Sequence, residues 1–475
     1  MMKKYISWVG ILSLLFVFAA CMGDDENSAT YYTTNDTGIT AFSLSAANQY
    51  LHTTGSEGQD SIYKKTVTVS DYEFYIDQEN SQIYNPDSLP YGTDAKHILL
   101  SISTKNSGQI YLKNVANDSA FYYNATDSVD FSNPRTFQIL SLSGSFYRNY
   151  TVKVNIHQQE GDDFNWHQLS TNNLFANMQA MKAFAAGGNV YLFGFDGAQT
   201  QLYQTAENDG QNWLASNQLF DANAYKNVVT RGDDVFVLNA GQILRMNAGQ
   251  WTVMGASSEL KQLVAASATE LYAIGQDGSM MVSRNDGASW TVDTQDEGKE
   301  LLPADAVSFT SLPLKTNDDI DMVVMAGLRN ETAYPSDTIA VVWTKLVEYS
   351  DYHREYPWTY VDIADDNNYA LPRLANVVIM NYDNGLLAMG GSGVGACTKK
   401  GFDSFYYSQD GGITWKTPDY TLPTDMNSSN VFTATVDSQN FIWIVCGQSG
   451  EIWRGRLNRM GWTKEQNEFL KVRRK

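Results

Sequence analysis

Two long polar segments carry the side chains of this chain that are best suited to binding or acid–base chemistry. They are Leu328–Asp337 (LRNETAYPSD) and Gly391–Ser404 (GSGVGACTKKGFDS). They supply polar and aromatic groups, aromatic rings suit contacts with sugars or proteins, and two facing carboxylates could hydrolyse a glycosidic bond. With one arginine from a neighbouring strand, the predicted ligand-binding residues are Arg329, Tyr334, Arg373, Lys399, Lys400 and Phe402, and the carboxylates that a hydrolase could use are Glu331 and Asp403.

Each segment follows an apolar extended run, and such runs recur through the C-terminal part of the chain. A second extended run and then a tryptophan follow each of them, at positions 213, 251, 290, 358, 415 and 462. The first three tryptophans are 38 and 39 residues apart, which is the length of one four-stranded propeller blade. The six apolar runs are Val190–Gly194, Val235–Leu238, Leu271–Gly275, Met322–Gly327, Leu386–Gly390 and Phe441–Gly447.

We therefore predict an all-β chain in which residues 164–463 form a six-bladed β-propeller, with seven blades as the alternative. Phe164–Trp166 supplies either an extra outer strand that closes the ring or part of a seventh blade. Closing the ring matters because it removes free sheet edges.

A turn motif occurs three times in this region, as AENDGQNW at Ala206–Trp213, SRNDGASW at Ser283–Trp290 and SQDGGITW at Ser408–Trp415. Asp or Asn can accept backbone N–H bonds, glycine can take positive φ, and tryptophan offers a large apolar face. The motif resembles the Asp-box of sialidase-like, BNR-repeat β-propellers, although the first copy has Ala206 in place of its serine. That resemblance implies a structural role for Asn208, Asp209, Gly210, Trp213, Asn285, Asp286, Gly287, Trp290, Asp410, Gly412 and Trp415.

Propeller topology assigns the loops to two faces. Asp-boxes occupy the turns between the third and fourth strands, whereas the loops between the second and third strands surround the opposite mouth of the channel. Both long segments are loops of the latter kind, so we predict a ligand site in the groove between them. Arg373, at the start of an innermost strand, is expected to point toward the channel. The alternative is that the two loops simply vary in length.

Residues 37–157 carry period-2 runs such as Tyr150–Ile156, bounded by turn residues. At this size the pattern predicts an Ig-like β-sandwich. The stretches Asp127–Phe131 and Asn133–Phe137 resemble the N-terminal module of an uncharacterised family of bacterial surface lipoproteins, whose second module is a propeller. The function of that family is unknown, so the resemblance implies architecture and no chemistry. Residues 158–163 are predicted to be a polar hinge.

Residues 1–20 are predicted to be a lipoprotein signal peptide. Two lysines precede an apolar stretch that is too short to span a bilayer, and Cys21 follows a lipobox-like sequence. The resemblance implies that a lipidated Cys21 anchors the chain to a membrane, with an ordinary secretory signal as the alternative. The tether, residues 21–36, contains an acidic run that resembles a surface-export signal. We therefore expect an outer-membrane lipoprotein facing the cell exterior, with a periplasmic orientation as the alternative.

Composition excludes several partners. The formal net charge of −20 argues against nucleic acid and anionic lipid surfaces. Five scattered histidines lack zinc-ligand spacing, and we predict no metal and no cofactor. Cys397 and Cys446 either pair in an oxidising compartment or remain buried free thiols. Residues 464–475 are predicted to be a frayed basic tail.

The functional prediction is a non-catalytic binding protein that recognises a glycan or a protein at the mouth of the channel. A glycan-active hydrolase or lyase and a structural component of a surface complex are the alternatives. Sialidase activity is disfavoured because the chain lacks an Arg-Ile-Pro-like entry, and Leu371–Leu374 (LPRL) has the wrong order.

Overall fold

A computed structural model describes residues 33–54, 59–117, 119–314, 316–350, 354–363 and 367–462 of the chain. The predicted signal peptide, Cys21, most of the tether and the basic tail lie outside these residues. The chain divides between Gln158 and Gln159 into two compact units. Among the described residues, no helix has the length and hydrophobicity needed to cross a bilayer.

The described residues of the first unit form ten strands, with 3-10 turns at Val69–Asp71 and Lys105–Ser107. One sheet has six strands in the order β4-β5-β10-β9-β7-β8, and two-stranded sheets are formed by β1 with β6 and by β2 with β3. The strands are β1 (Ile39–Ala46), β2 (Asn48–Thr54), β3 (Asp60–Thr66), β4 (Tyr75–Asp77), β5 (Gln82–Tyr84), β6 (Leu99–Thr104), β7 (Gln109–Lys113), β8 (Ala120–Tyr122), β9 (Arg135–Leu140) and β10 (Tyr147–Lys153).

A single hydrophobic core joins the β1–β6 sheet to the six-stranded sheet. Phe137 on β9 and Tyr150 on β10 are fully buried, and alternate residues of both strands face outward. Phe42 and Leu44 on β1 belong to the same cluster, so the β1–β6 sheet covers the inner face of the six-stranded sheet. Period-2 alternation therefore produces two layers here, as expected for half-buried strands.

The second unit contains twenty-three described strands, one short helix, α1 (Asn173–Ala176), and 3-10 turns at Ala224–Lys226, Lys299–Leu301 and Asn458–Gly461. The strands are β11 (Phe164–Thr171), β12 (Ala180–Ala186), β13 (Asn189–Phe195), β14 (Thr200–Ala206), β15 (Leu214–Ala215), β16 (Val228–Arg231), β17 (Asp234–Asn239), β18 (Gln242–Asn247), β19 (Gln250–Ala256), β20 (Leu260–Ala266), β21 (Leu271–Gly275), β22 (Met280–Ser283), β23 (Thr291–Val292), β24 (Asp305–Leu314), β25 (Asn317–Leu328), β26 (Val341–Glu348), β27 (Thr359–Tyr360), β28 (Val378–Tyr382), β29 (Gly385–Met389), β30 (Tyr406–Ser408), β31 (Phe432–Val436), β32 (Ile442–Cys446) and β33 (Glu451–Leu457).

The described strands of this unit form six antiparallel sheets. Five have four strands, and the β28-β29-β30 sheet has three, with Tyr407 bridging to Lys416 beyond its last strand. The innermost strands are β12, β16, β20, β24, β28 and β31. Each packs beside the next, and β31 contacts both β28 and β12, so the ring is closed. The predicted all-β chain with a β-propeller is confirmed.

The closing sheet combines both ends of the unit. β11 is its outermost strand and pairs with β33, beginning at Phe164 opposite Leu457. Phe164–Trp166 therefore supplies the extra outer strand, which was the first of the two predicted alternatives. Because β11 precedes the other strands of the ring in sequence, its pairing ties the start of the propeller to its end.

The six apolar runs of the sequence all become second strands. On β25, Val323 and Met325 lie in the cluster shared with the preceding sheet, whereas Val324 and Ala326 lie in the cluster shared with the next. Both faces of a second strand are thus buried, and such strands read as continuous apolar runs without alternation. Hydrophobic clusters fill all six interfaces between neighbouring sheets of the described ring.

Short turns keep the strands of a sheet in register. β17 and β18 are joined by Ala240–Gly241, whose φ angles are +48° and +76°. Two consecutive residues with positive φ define a type I′ turn, whose twist matches that of the flanking strands.

Candidate functional site

The six innermost strands surround a cavity of about 720 Å³, which we call the central channel. Residues of all six strands line it. Two faces of the ring can be distinguished. The loop face holds the connections between the second and third strands of each sheet, and the Asp-box face holds those between the third and fourth strands. Each innermost strand starts at the loop face.

Hydroxyl groups from neighbouring strands satisfy backbone amides along the channel wall. The Ala183 N–H donates to Thr433 Oγ1 at 2.7 Å, and the Ile379 N–H donates to Ser308 Oγ at 3.0 Å. An innermost strand has no further strand to pair with, and buried N–H groups without an acceptor are costly. These hydrogen bonds therefore connect adjacent sheets beside the channel.

Lys182 is a charged residue of an innermost strand that lines the channel. It is the third residue of β12, and its Nζ donates to the carbonyl oxygen of Val307 at 3.4 Å. Val307 lies on β24, three sheets further round the ring, so the side chain crosses the channel. Burial lowers the pKa of Lys182 to about 8. The side chain keeps partial exposure to the channel although protein surrounds it.

No described carboxylate forms an ion pair with Lys182. Removing a cation from water without a counterion is unfavourable, which is the physical cause of the lowered pKa. Sequence reasoning missed this residue, because the run MKAFAA gives no sign that its lysine faces a channel.

The loop-face mouth of the channel lies beside Lys182. Tyr225 and Lys226 precede β16, Gln262 lies on β20, and Asp305 starts β24. Tyr225 stacks on Phe195, with ring centroids 5.6 Å apart and planes 16° apart. Burial, with a smaller effect of Asp305, raises the pKa of Tyr225.

Gln262 is a second uncommitted polar group in the mouth. It is 7% exposed, and no hydrogen bond among the described residues involves its side-chain amide. A buried amide normally has partners. The mouth therefore presents a cation on β12, an aromatic ring just before β16 and a free amide on β20, which follow one another in this order round the ring: β12, β16, β20.

The other end of the channel carries carboxylates that are already engaged. Asp437 is 4% exposed and accepts from Trp443 Nε1 at 2.9 Å and from Arg454 Nη2 at 2.7 Å. Asp321 accepts from the Tyr349 hydroxyl at 2.7 Å. Asp321 pairs in register with Pro313, eight residues along β24 from Asp305. At about 3.3 Å per residue, Asp305 and Asp321 are roughly 25 Å apart.

The first predicted loop is held by contacts among its own predicted residues. Arg329 donates to both carboxylate oxygens of Asp337, at 2.8 and 2.7 Å, and its guanidinium lies 3.9 Å from the Tyr334 ring centroid. Arg373 is 1% exposed and donates to the carbonyl oxygens of Tyr334 and Arg329, at 2.7 and 2.9 Å. Arg373 thus fastens the loop, which corrects the expectation that it points toward the channel. Glu331 is exposed.

The second predicted loop exposes its charged groups. Lys399, Lys400 and Asp403 are exposed, whereas Phe402 packs edge-on against the Phe432 ring at 4.7 Å.

The two predicted loops approach each other where a methyl group added at Gly395 of the second would lie 3.1 Å from the carbonyl oxygen of Pro335 in the first. None of the eight predicted binding or catalytic residues is among those that line the central channel. The structure therefore brings Arg329, Tyr334 and Arg373 together, and it places the free polar groups of the channel elsewhere.

Two family models match the chain. The one described as the DUF6242 beta propeller domain matches residues 160–465, which is more than half of the sequence. The chain belongs to the DUF6242 family. The second model, the DUF6242 N-terminal domain of unknown function, matches residues 42–154.

Solved structures with a distant likeness to this DUF6242 protein include YCF48 from Cyanidioschyzon merolae, with 14% identity, 61% of this chain and 98% of that chain covered, and a TM-score of 0.31. A Trypanosoma rangeli sialidase in complex with 2,3-difluorosialic acid has 10% identity, with 67% and 57% covered and a TM-score of 0.32. A structural genomics protein of unknown function from Bacteroides thetaiotaomicron has 8% identity, with 76% and 94% covered and a TM-score of 0.28. No curated protein matches the chain.

In the DUF6242 propeller, the third Asp-box is a closed set of hydrogen bonds. Asp410 Oδ1 accepts from the Thr414 N–H at 2.9 Å and from the Ser408 hydroxyl at 2.7 Å. The Trp415 indole N–H donates to the Gly412 carbonyl at 2.8 Å. Burial opposes the charged form, but these donors outweigh it and lower the pKa of Asp410.

The second Asp-box repeats the backbone part of this geometry with an amide, whereas the buried Trp290 indole N–H has no hydrogen-bond partner among the described residues. Asn285 Oδ1 accepts from the Ser289 N–H at 2.9 Å. The adjacent Asp286 instead accepts from Arg231 Nη2 at 2.6 Å and from Arg245 Nη1 at 3.1 Å, both on the preceding sheet. Trp290 packs in the cluster between the same two sheets.

The first Asp-box is shifted by one residue. Thr205 takes the place of the missing serine, since its Oγ1 accepts from the Gly210 N–H at 3.1 Å. Asp209, rather than Asn208, accepts from the backbone of the turn, through the Gln211 N–H at 3.1 Å. Trp213 donates to the Gly210 carbonyl at 3.1 Å.

The glycines of the boxes fit against the preceding sheet. A methyl group at Gly287 would lie 2.7 Å from Ile243 Cγ2, and one at Gly412 would lie 3.0 Å from Val342 Cγ1. Each of these turns therefore links its sheet to its neighbour in the ring.

Cys397 and Cys446 are buried free thiols, the second of the two predicted alternatives. Burial raises the pKa of Cys446 to about 12. Within the described residues, no three His, Cys, Asp or Glu side chains cluster closely enough to hold a metal ion.

Proposed function

We propose that this DUF6242 protein is a non-catalytic binding protein that takes a glycan into the loop-face mouth of its central channel. The observation that carries the proposal is the cavity of about 720 Å³, at one end of which Lys182 has no described carboxylate partner and the Gln262 amide has no described hydrogen bond. Ligand pockets commonly measure about 300 to 1,000 Å³ and use a few convergent polar groups on a mostly preformed wall.

A bound sugar has suitable partners at this mouth. Its hydroxyls can exchange hydrogen bonds with the Gln262 amide, and the Tyr225–Phe195 stack supplies an aromatic surface. The channel admits a small ligand and not a folded partner. The channel carboxylates offer less support for a hydrolase. Asp305 lies at the loop-face end, roughly 25 Å from Asp321, whereas glycosidases use pairs about 5 to 9.5 Å apart. Asp321 and Asp437, at the other end, already accept hydrogen bonds from Tyr349 and from Trp443 and Arg454.

The proposed cellular setting rests on the N-terminal sequence. A lipidated Cys21 would anchor the protein in the outer membrane, and the acidic run behind it favours the outward-facing orientation. The first unit, proposed to be Ig-like, would serve as a stalk. Replacing Cys21 with serine should move the protein from the membrane to the soluble fraction, and protease treatment of intact cells should degrade the wild-type protein. Survival under that treatment would contradict the outward orientation.

A glycan array with protein lacking residues 1–21 tests the binding proposal. We expect at least one saccharide to bind, and Gln262→Ala to weaken that binding by about tenfold, the effect of losing one or two hydrogen bonds. Gln250→Ala is the matched control, since Gln250 is exposed on an outer strand and should change affinity less than twofold. An array without any bound saccharide, or equal effects of the two variants, would refute the proposed site.

A further inference from the structure

We propose that the ligand of the central channel is an acidic sugar whose carboxylate pairs with the ammonium group of Lys182. This inference rests on the proposed function and names the class of its ligand.

The geometry leaves Lys182 with unused binding capacity. An ammonium group has three N–H donors, and the described residues accept only one bond from it, the 3.4 Å bond to the Val307 carbonyl. That bond is long for N–H···O, for which 2.9 to 3.0 Å is typical. A carboxylate in the mouth would take the remaining donors at closer range, and charge-assisted bonds of this kind are stronger than neutral ones.

Charge in the channel also favours an anion at this position. Arg231 lines the Asp-box end, but Asp286 already accepts from its guanidinium at 2.6 Å. The lysines that line the channel, Lys182 and Lys226, both lie near the loop-face mouth. Asp305 at the rim is exposed and forms no ion pair with Lys182 among the described residues. An incoming carboxylate would therefore neutralise a cation that the protein itself leaves uncompensated.

The other groups at the mouth distinguish a sugar acid from other anions. Phosphate sites that use a lysine usually combine it with an arginine fork or several converging backbone N–H groups, whereas the cations that line this mouth are the two lysines. The Tyr225 ring and the buried Gln262 amide suit the flat face and the hydroxyls of a pyranose. These features together select a uronic acid over a phosphate ester.

Calorimetric titration with trigalacturonate and with its methyl ester is the test, on protein lacking residues 1–21. We expect the ester to bind at least tenfold more weakly to the wild-type protein. Lys182→Met should bind acid and ester equally. Lys261→Met is the control for general electrostatics, because Lys261 is exposed on β20 and does not line the channel. It should retain the wild-type preference.

The pH dependence gives a second readout that needs no variant. The charged or titratable groups that line the mouth beside Lys182 are Lys226, Asp305 and Tyr225, and burial raises the pKa of Tyr225. Because Lys182 loses its proton near pH 8, trigalacturonate should bind about tenfold more weakly at pH 9 than at pH 7. The methyl ester should show no such loss.

Each result decides the inference separately from the proposed function. Equal binding of acid and ester to the wild-type protein overturns the inference but leaves a glycan-binding protein. If the array retains only neutral or only sulfated saccharides, the carboxylate assignment is wrong although the proposed function stands. If no saccharide binds, both are refuted.

Discussion

Replacing Lys182 with methionine removes the uncompensated charge from the central channel, and we expect the propeller to become more stable at neutral pH. Methionine keeps most of the length of the side chain and needs no counterion. A fall in pKa from 10.5 to about 8 corresponds, at about 1.4 kcal/mol per pKa unit, to about 3 kcal/mol of destabilisation of the protonated form. This is an upper limit, because Lys182 keeps partial contact with channel water.

The same reasoning fixes the pH dependence. The folded protein has the lower lysine pKa, so between pH 8 and pH 10.5 the unfolded chain binds more protons and the free energy of unfolding rises with pH. The penalty is fully present below pH 8 and disappears above pH 10.5. The stability advantage of Lys182→Met should therefore be largest at pH 7 and shrink steadily toward pH 10.

Urea unfolding followed by tryptophan fluorescence measures this difference. Of the eleven tryptophans, all except Trp8 lie in the propeller unit, so the signal reports on that unit alone in protein lacking residues 1–21. The Lys261→Met variant controls for loss of a lysine at the surface and should match the wild-type free energy within about 0.5 kcal/mol. A Lys182→Met protein that is less stable than wild type at pH 7, or an advantage that does not depend on pH, would refute the reasoning.

Three further predictions concern the framework of the propeller. Gly287→Ala should lower the free energy of unfolding by about 3 kcal/mol, because the added methyl group is strained and crowds Ile243. Gly249 has a similar φ but open space around it, so Gly249→Ala should lower the free energy of unfolding by only about 1 kcal/mol. Equal losses for the two variants in urea titrations would contradict this prediction. Arg373→Met should free the loop that it fastens, so Glu-C protease should cut after Glu331 faster than in wild type; an unchanged rate would show that the loop is held by other contacts. The Cys446 thiol, with its pKa raised to about 12, should react with a thiol reagent at pH 8 only as fast as the propeller unfolds, and labelling at the rate of a free cysteine would disprove its burial.

The order of strands in the propeller was accessible from the sequence because it depends on local patterns. A second strand such as Leu271–Gly275 is buried on both faces, so its residues are uniformly apolar and recognisable without knowledge of their neighbours. For Phe164–Trp166, the sequence left two alternatives, an outer strand that closes the ring and part of a seventh blade. It could not decide between them, because the pairing partner Leu457 lies at the far end of the unit. The turn at Ala206–Trp213 was recognisable as an Asp-box, yet the role of Thr205 was not, because it lies outside the motif.

The sequence by itself determined the all-β character of the chain and the repeated sheets, since alternation, apolar runs and turn residues act over a few positions. Only the tertiary structure decided which polar groups are free. Arg373 and Arg329 carry the charges that suggested a ligand site, but folding engages both with groups of the first predicted loop. Lys182 sits in an ordinary strand sequence and faces Val307 only because the closed ring brings the two strands to opposite sides of one channel. Whether a charge is paired depends on contacts between residues far apart in the chain, and these form only when the ring closes.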